Sequence, residues 1–155
     1  MPNQTQNRIF YWTKDAFSLD HTIYDDGNII GVIKDKSTDR SAKASILGKK
    51  FLFESEGFFK PGINIYDIDN KKVLGRVKFH WFRVRAEVRL SGHIYHWNSA
   101  NFINSKWTLK DEDGVIKVAG AGRKEGYCTI ENSNTPLLLL TSLVIRNHFT
   151  KQGQA

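Results

Sequence analysis

The chain has 155 residues, 40% of them hydrophobic and 25% charged, a balance that suits one folded domain and excludes a chain too polar to bury a core. Its formal net charge of +7 favours anionic partners. The single cysteine, Cys128, excludes both an internal disulfide and a thiolate metal cluster.

The opening Met1-Pro2-Asn3-Gln4-Thr5-Gln6 has neither a charged n-region nor an apolar h-region, so no secretory leader is expected and a cytoplasmic setting is favoured. Residues 1–7 read as a disordered tail, 8–150 as a single domain and 151–155 as a C-terminal tail. From Arg8 to Glu131, short runs rich in Ile, Val, Phe, Tyr and Trp are broken by Asp, Asn and Gly. That spacing is the pattern of an all-β sandwich or barrel. Twelve strands are predicted: Ile9 to Thr13, Thr22 to Tyr24, Ile29 to Lys34, Ser41 to Leu47, Phe51 to Ser55 and Ile63 to Ile68, then Val73 to Trp81, Val84 to Ser91, Ile94 to Asn98, Lys106 to Lys110, Ile116 to Gly120 and Tyr127 to Glu131.

Three turns recur among them: Asp25-Asp26-Gly27, Asp69-Asn70 and Asp111-Glu112-Asp113-Gly114. Short acidic or amide side chains bond the local backbone there, and Gly or Asn adopts positive φ, so each predicts a hairpin. The last element differs. Thr135 is placed to cap a helix, Pro136 fits its first position, and no Gly or Pro follows up to Phe149. Leu137 to Ile145 is apolar around most of the circumference, which predicts a helix over about 136–149 enclosed by other elements. Nine such residues reach only about 14 Å along a helix, too short to cross a bilayer. Arg146 and His148 fall in its last turn, where cations complement the helix dipole.

The strand pattern, the acidic turns and this terminal apolar helix resemble the tubby C-terminal-like superfamily, and within it most nearly the LURP-one-related and phospholipid scramblase-like proteins. Trp107-Thr108-Leu109-Lys110-Asp111-Glu112-Asp113-Gly114-Val115-Ile116-Lys117-Val118-Ala119 and Leu137-Leu138-Leu139-Leu140 carry most of the likeness. The resemblance implies a mostly β fold, a closed antiparallel barrel of about twelve strands around a buried hydrophobic C-terminal helix. It also raises phosphoinositide or membrane contact as a role. The lipid-modified cysteine cluster of the scramblases has no counterpart here.

Residues 71 to 93 hold Lys71, Lys72, Arg76, Lys78, Arg83, Arg85 and Arg89 against Glu87 alone. If Val73 to Trp81 and Val84 to Ser91 pair as a hairpin reversing near Phe82-Arg83, period two buries Val73, Val77, Phe79 and Trp81. The same period sets Arg76, Lys78, His80, Arg85 and Arg89 on one outer face. Guanidinium forks bind phosphate oxygens bidentately, so this face is the candidate anion-binding site, with anionic phospholipid, a membrane surface or an acidic protein as partner. The competing interpretation is a solvated face with Glu87 paired to a neighbouring cation. Nucleic acid is disfavoured, because the aromatics that would stack on bases point inward.

Other motifs have simpler structural explanations. An EF-hand beginning at Asp111 would need Glu where Gly122 stands. His93 and His96 have opposite strand parity and so do not share a metal. Gly120-Ala121-Gly122-Arg123 lacks a following Gly-Lys-Ser/Thr and helix, and reads as a hairpin connection. Cys128 reads as a buried small apolar residue, and Trp12, Trp81, Trp97 and Trp107 as packing. No metal or cofactor is implied and no catalytic residue stands out. The reading is a non-catalytic binding module, with a protein-interaction scaffold as the alternative. An enzyme built on His80, His93, His96 or Asp111 is the weakest option.

Overall fold

A computed structural model describes residues 7–36, 40–56, 62–80, 83–99, 105–131 and 136–152. Twelve strands and one helix follow in chain order: β1 Asn7–Lys14, β2 His21–Asp25, β3 Asn28–Lys34, β4 Ser41–Ile46, β5 Lys49–Ser55, β6 Gly62–Asp67, β7 Lys72–Phe79, β8 Arg85–Leu90, β9 His93–Ser99, β10 Lys106–Asp111, β11 Ile116–Gly122, β12 Glu125–Glu131 and α1 Pro136–Lys151. Each strand pairs antiparallel with its sequence neighbours, and β1 pairs with β12 from Asn7↔Glu131 to Thr13↔Glu125, closing the barrel without a free edge. All twelve predicted strands are present, with ends that differ by a few residues. The predicted helix cap Thr135 and the inward Trp81 and reversal at Phe82 lie outside the described residues.

The three acidic turns are hairpins, between β2 and β3, β6 and β7, and β10 and β11. Asp111 Oδ1 accepts the Asp113 and Val115 backbone N–H groups at 3.0 and 2.9 Å. Asp67 does the same for Asp69 and Asn70 and also accepts from the Asn70 amide, and these bonds hold its carboxyl below the usual range. The carboxylates are therefore engaged by their own turns.

Each of these hairpins also carries a bulge at the equivalent place, one pair beyond Ile23, Ile65 and Leu109. The unpaired extra residue is Ile30 in β3, Leu74 in β7 and Lys117 in β11. A one-residue insertion reverses which face the following side chains take. That is why Ile29, Val73 and Ile116 are outside, at 64, 61 and 46% exposure, although uninterrupted alternation assigns all three to the interior. The prediction that Val73 faces inward with Val77 and Phe79 is corrected on this ground. Ile30 and Leu74 pack on the core instead, and Lys117 pairs with Asp111 and Glu131.

The helix runs through the barrel. Every residue from Leu138 to Asn147 is buried, and α1 packs on β4 and β11, which stand on nearly opposite sides of the ring. Its hydroxyls are satisfied internally: Thr141 Oγ1 donates to Leu137 O at 2.7 Å and Ser142 Oγ to Leu139 O at 2.8 Å. The C-terminal end is fastened by polar bonds. Asn147 Nδ2 donates to Leu19 O and Asp35 Oδ2 at 2.9 and 3.0 Å, and Lys151 pairs with the same buried Asp35. Burial raises the Asp35 carboxyl pKa even so.

Two sequence readings change at this end. Arg146 is not in the last turn, because α1 runs on to Lys151. The residue is 7% exposed, and its guanidinium lies 5.0 Å from the Trp12 ring centre and 4.8 Å from that of Trp107 and donates to Arg123 O at 3.0 Å. Desolvation lowers its pKa to about 10. His148 stacks on Phe79 at 3.7 Å between ring centres, and burial lowers its pKa to about 4, so it is neutral at pH 7.

Gly120 and Gly122 belong to β11, and the reversal falls at Arg123-Lys124, not across the Gly120-to-Arg123 segment. A Cβ on Gly120 would stand 2.1 Å from two Trp107 ring carbons, so the indole lies directly on that backbone. Gly120→Ala is expected to destabilise the domain by about 2 kcal/mol or more through overpacking. A urea midpoint shift equivalent to less than about 0.5 kcal/mol would mean the ring has room to move.

Candidate anion-binding site

The paired strands β7 and β8 place the predicted cations as period two requires. Arg76, Lys78, His80, Arg85 and Arg89 are all exposed on the outer wall, while Val77, Phe79, Ala86, Val88 and Leu90 are buried. Register sets Arg76 opposite Arg89 and Lys78 opposite Glu87. Beyond β7 the His80 backbone N–H donates to Arg85 O at 3.2 Å.

These five side chains are not electrostatically equivalent. Arg76 Nη2 meets Glu56 Oε2 at 2.7 Å, and Asn64 Nδ2 donates to the other oxygen of Glu56 at 3.1 Å. Arg89 Nε lies 3.4 Å from Glu87 Oε2. Two of the cations are thus partly neutralised, and the solvated-face interpretation applies to them. Among the described residues Lys78 and Arg85 have no carboxylate partner, and both lie toward the end of the barrel where the helix terminates.

Strand direction divides the charges further. The hairpin end carries the carboxylates of Asp25, Asp26, Asp67, Asp69, Asp111, Glu112, Asp113 and Glu131, opposed by Arg8, Lys49, Lys50, Lys71, Lys72, Arg89, Lys110 and Lys117. It is close to balanced. The helix-terminal end carries Lys14, Lys34, Lys36, Arg40, Arg83, Lys106, Arg123, Lys124 and Lys151 as well as Lys78 and Arg85, against Asp15, Asp20, Asp35, Glu54, Glu56 and Glu125, so among the described residues the positive excess lies at this end. The basic segment 71 to 93 runs from one end to the other, so its charge does not form a single patch. Sequence order concealed this because Lys14 and Arg123-Lys124 join the same rim from distant parts of the chain; Lys14 N donates to Lys124 O at 2.7 Å.

The rim also presents Phe17, which is 100% exposed and was not singled out by pattern, since a lone Phe in a polar loop has no period. Its loop is braced. Phe17 N donates to Asp15 Oδ1 at 2.8 Å, Asp15 N to Asp20 O at 2.9 Å, and Asp20 N to Ser18 Oγ at 3.2 Å. Leu19, two residues on, is buried.

The candidate acid-base groups do not gather. His80 lies past the end of β7, His96 on the outer wall opposite Glu87 and Lys110, and His93 and Asp111 at the hairpin end. Among the described residues no group of three His, Cys, Asp or Glu side chains is placed to hold a metal. Cys128 is fully buried and its thiol pKa is pushed up. Trp12, Trp97 and Trp107 are fully buried in the core. No helix among the described residues is long and apolar enough to cross a membrane.

The fold is similar to the X-ray structure of a protein from Arabidopsis thaliana, AT5G01750. The two are 10% identical, with a TM-score of 0.63 over 90% of this chain and 91% of that one. At this identity the likeness is one of architecture. No family model matches the chain, and no curated protein matches it.

Proposed function

We propose that this protein is a non-catalytic binding module that contacts anionic phospholipid head groups through Lys78 and Arg85, with Arg76, His80 and Arg89 flanking them. The observation that carries this reading is the pair of exposed cations without carboxylate partners on a wall whose other arginines are already paired. A lumen filled by α1 leaves the outside of the barrel as the contact surface. The closed barrel with an internal C-terminal helix also supports kinship with the tubby C-terminal-like superfamily, and with its LURP-one-related and scramblase-like members. A cytoplasmic protein peripheral to the membrane is the setting this reading assigns.

Co-sedimentation with phosphatidylserine-containing vesicles at low and high salt tests it. Each cation near an anionic surface contributes about 1 kcal/mol, so Lys78→Glu/Arg85→Glu should bind at least tenfold more weakly and the wild type should release as salt rises. Arg76→Glu should lose less, because Glu56 already opposes that charge. No binding by the wild type at low salt would refute the proposal.

A protein-interaction scaffold is the second reading, and one feature favours it. Tyr11 packs against Tyr24 and Tyr127 with tilted rings, centres 5.7 and 5.4 Å apart, on the far wall of the barrel, where Tyr127 is exposed. Tyrosines on an exposed surface suit a protein partner. Pull-down with the pair Tyr11→Ala/Tyr127→Ala against wild type separates the two readings.

A further inference from the structure

We infer that the barrel meets an anionic membrane end-on, with its helix-terminal rim toward the bilayer and Phe17 entering the interface. The inference rests on the proposed lipid contact and adds an orientation and an apolar anchor that the sheet face alone does not supply.

Three observations converge on this rim. Among the described residues the positive excess lies at this end and not at the hairpin end. The cations of β7 and β8 that lack carboxylate partners stand at the same end as Lys14 and Arg123-Lys124 but several strands away around the ring, a spread that suits an extended anionic surface. Phe17 is fully exposed on a loop held by three short-range hydrogen bonds, so placing its ring in the head-group region requires little ordering of the loop. Aromatic rings favour this interfacial depth, and an apolar anchor joined to cations gives firmer attachment than either alone.

The hairpin end has exposed apolar residues too, including Ile68 and Val115. Ile68 lies between Asp67 and Asp69, and Val115 follows Asp113-Gly114. Those carboxylates repel an anionic surface. Asp15 and Asp20 stand beside Phe17 as well, but Lys34 lies 3.7 Å from Asp20, Lys14 adjoins Asp15, and the end as a whole is positive where the hairpin end is balanced.

The test attaches an environment-sensitive nitrobenzoxadiazole label through Phe17→Cys or, at the hairpin end, Asp113→Cys. Cys128 is buried and its thiol pKa is raised, so labelling is confined to the introduced thiol. With phosphatidylcholine vesicles containing phosphatidylserine, the label at 17 should brighten and shift to the blue while the label at 113 stays unchanged. Unlabelled Phe17→Ala should bind these vesicles about tenfold more weakly than wild type. If the wild type co-sediments but position 17 is silent and Phe17→Ala binds normally, the orientation is overturned and the lipid contact stands. Brightening at 113 inverts the orientation and also overturns it. Failure of the wild type to sediment removes both proposals together.

Discussion

Leu143→Asp is expected to leave no folded protein. Leu143 is fully buried at the middle of α1, with strands on all sides, so a carboxylate there finds neither water nor a cation. The substitution removes a leucine's burial, worth about 2 kcal/mol, and adds the cost of an unpaired buried polar or charged group, several kcal/mol more. A domain of ordinary net stability, about 5 to 15 kcal/mol, does not retain its fold against that sum with any margin. Near-UV circular dichroism and the urea transition measure it: the aspartate variant should show neither, whereas Leu143→Met, close in volume, should stay within about 1.5 kcal/mol of wild type. Soluble, cooperatively unfolding Leu143→Asp would show that the helix is not enclosed.

Acid should unfold the domain above the pH range in which carboxylates titrate. His21 is buried with Nδ1 2.9 Å from Leu19 O. The carbonyl only accepts, so Nδ1 carries a proton, while Nε2 is buried without a hydrogen-bond partner that would favour a second one. Desolvation lowers its pKa to about 4, with Arg146 and Lys14 acting in the same direction. His148, held against Phe79 with Lys151 near, is lowered to about 4 by the same cause. In the unfolded chain both titrate near 6.5. Between pH 6.5 and 4 the unfolded state therefore binds more protons than the folded one, so stability is full above 6.5 and is lost as pH falls toward 4. Each ring contributes up to about 3 kcal/mol of that loss, an order-of-magnitude figure that for two rings approaches the whole stability. Urea midpoints at pH 7.5, 5.5 and 4.5 should fall steadily. His148→Phe, which keeps a ring on Phe79, should reduce the slope by about half. Constant stability across that range would contradict burial of both rings.

The barrel's twelve strands were legible because each is short, rich in β-branched and aromatic residues, and bounded by a turn whose chemistry is local. Asp111 and Asp67 illustrate this: the turn they close is written in the next four residues. The helix was legible for a similar reason, since an apolar run without Gly or Pro needs no partner to be recognised. Closure of β1 on β12 came from the family resemblance and not from periodicity, because nothing near Asn7 specifies Glu131. The bulges were not legible. Leu74 and Ile30 are ordinary strand residues, and only the mismatch between two paired strands leaves one of them without an opposite and turns Val73 and Ile29 outward.

The candidate site divides along the same line. Alternation placed Arg76, Lys78, Arg85 and Arg89 on one outer face, but their charge balance depends on Glu56, which reaches Arg76 from the end of a different hairpin. The rim depends on Lys14, Phe17 and Arg123-Lys124 meeting across more than a hundred residues of chain. Arg146 shows the limit most plainly: its place near the helix end predicts a cation that complements the dipole, and only the closed wall brings the adjacent rings of Trp12 and Trp107 against it.

What the sequence determined by itself was local: where strands begin and end, which turns join them, which segment is a helix, and which side of an unbroken strand a residue takes. Hydrogen bonding to near neighbours and hydrophobic periodicity act over a few residues and leave their mark there. The tertiary structure alone decided which cations are neutralised, which polar groups lose water, and where the excess charge gathers. Coulomb energy and desolvation depend on distance in space, and ring closure sets those distances.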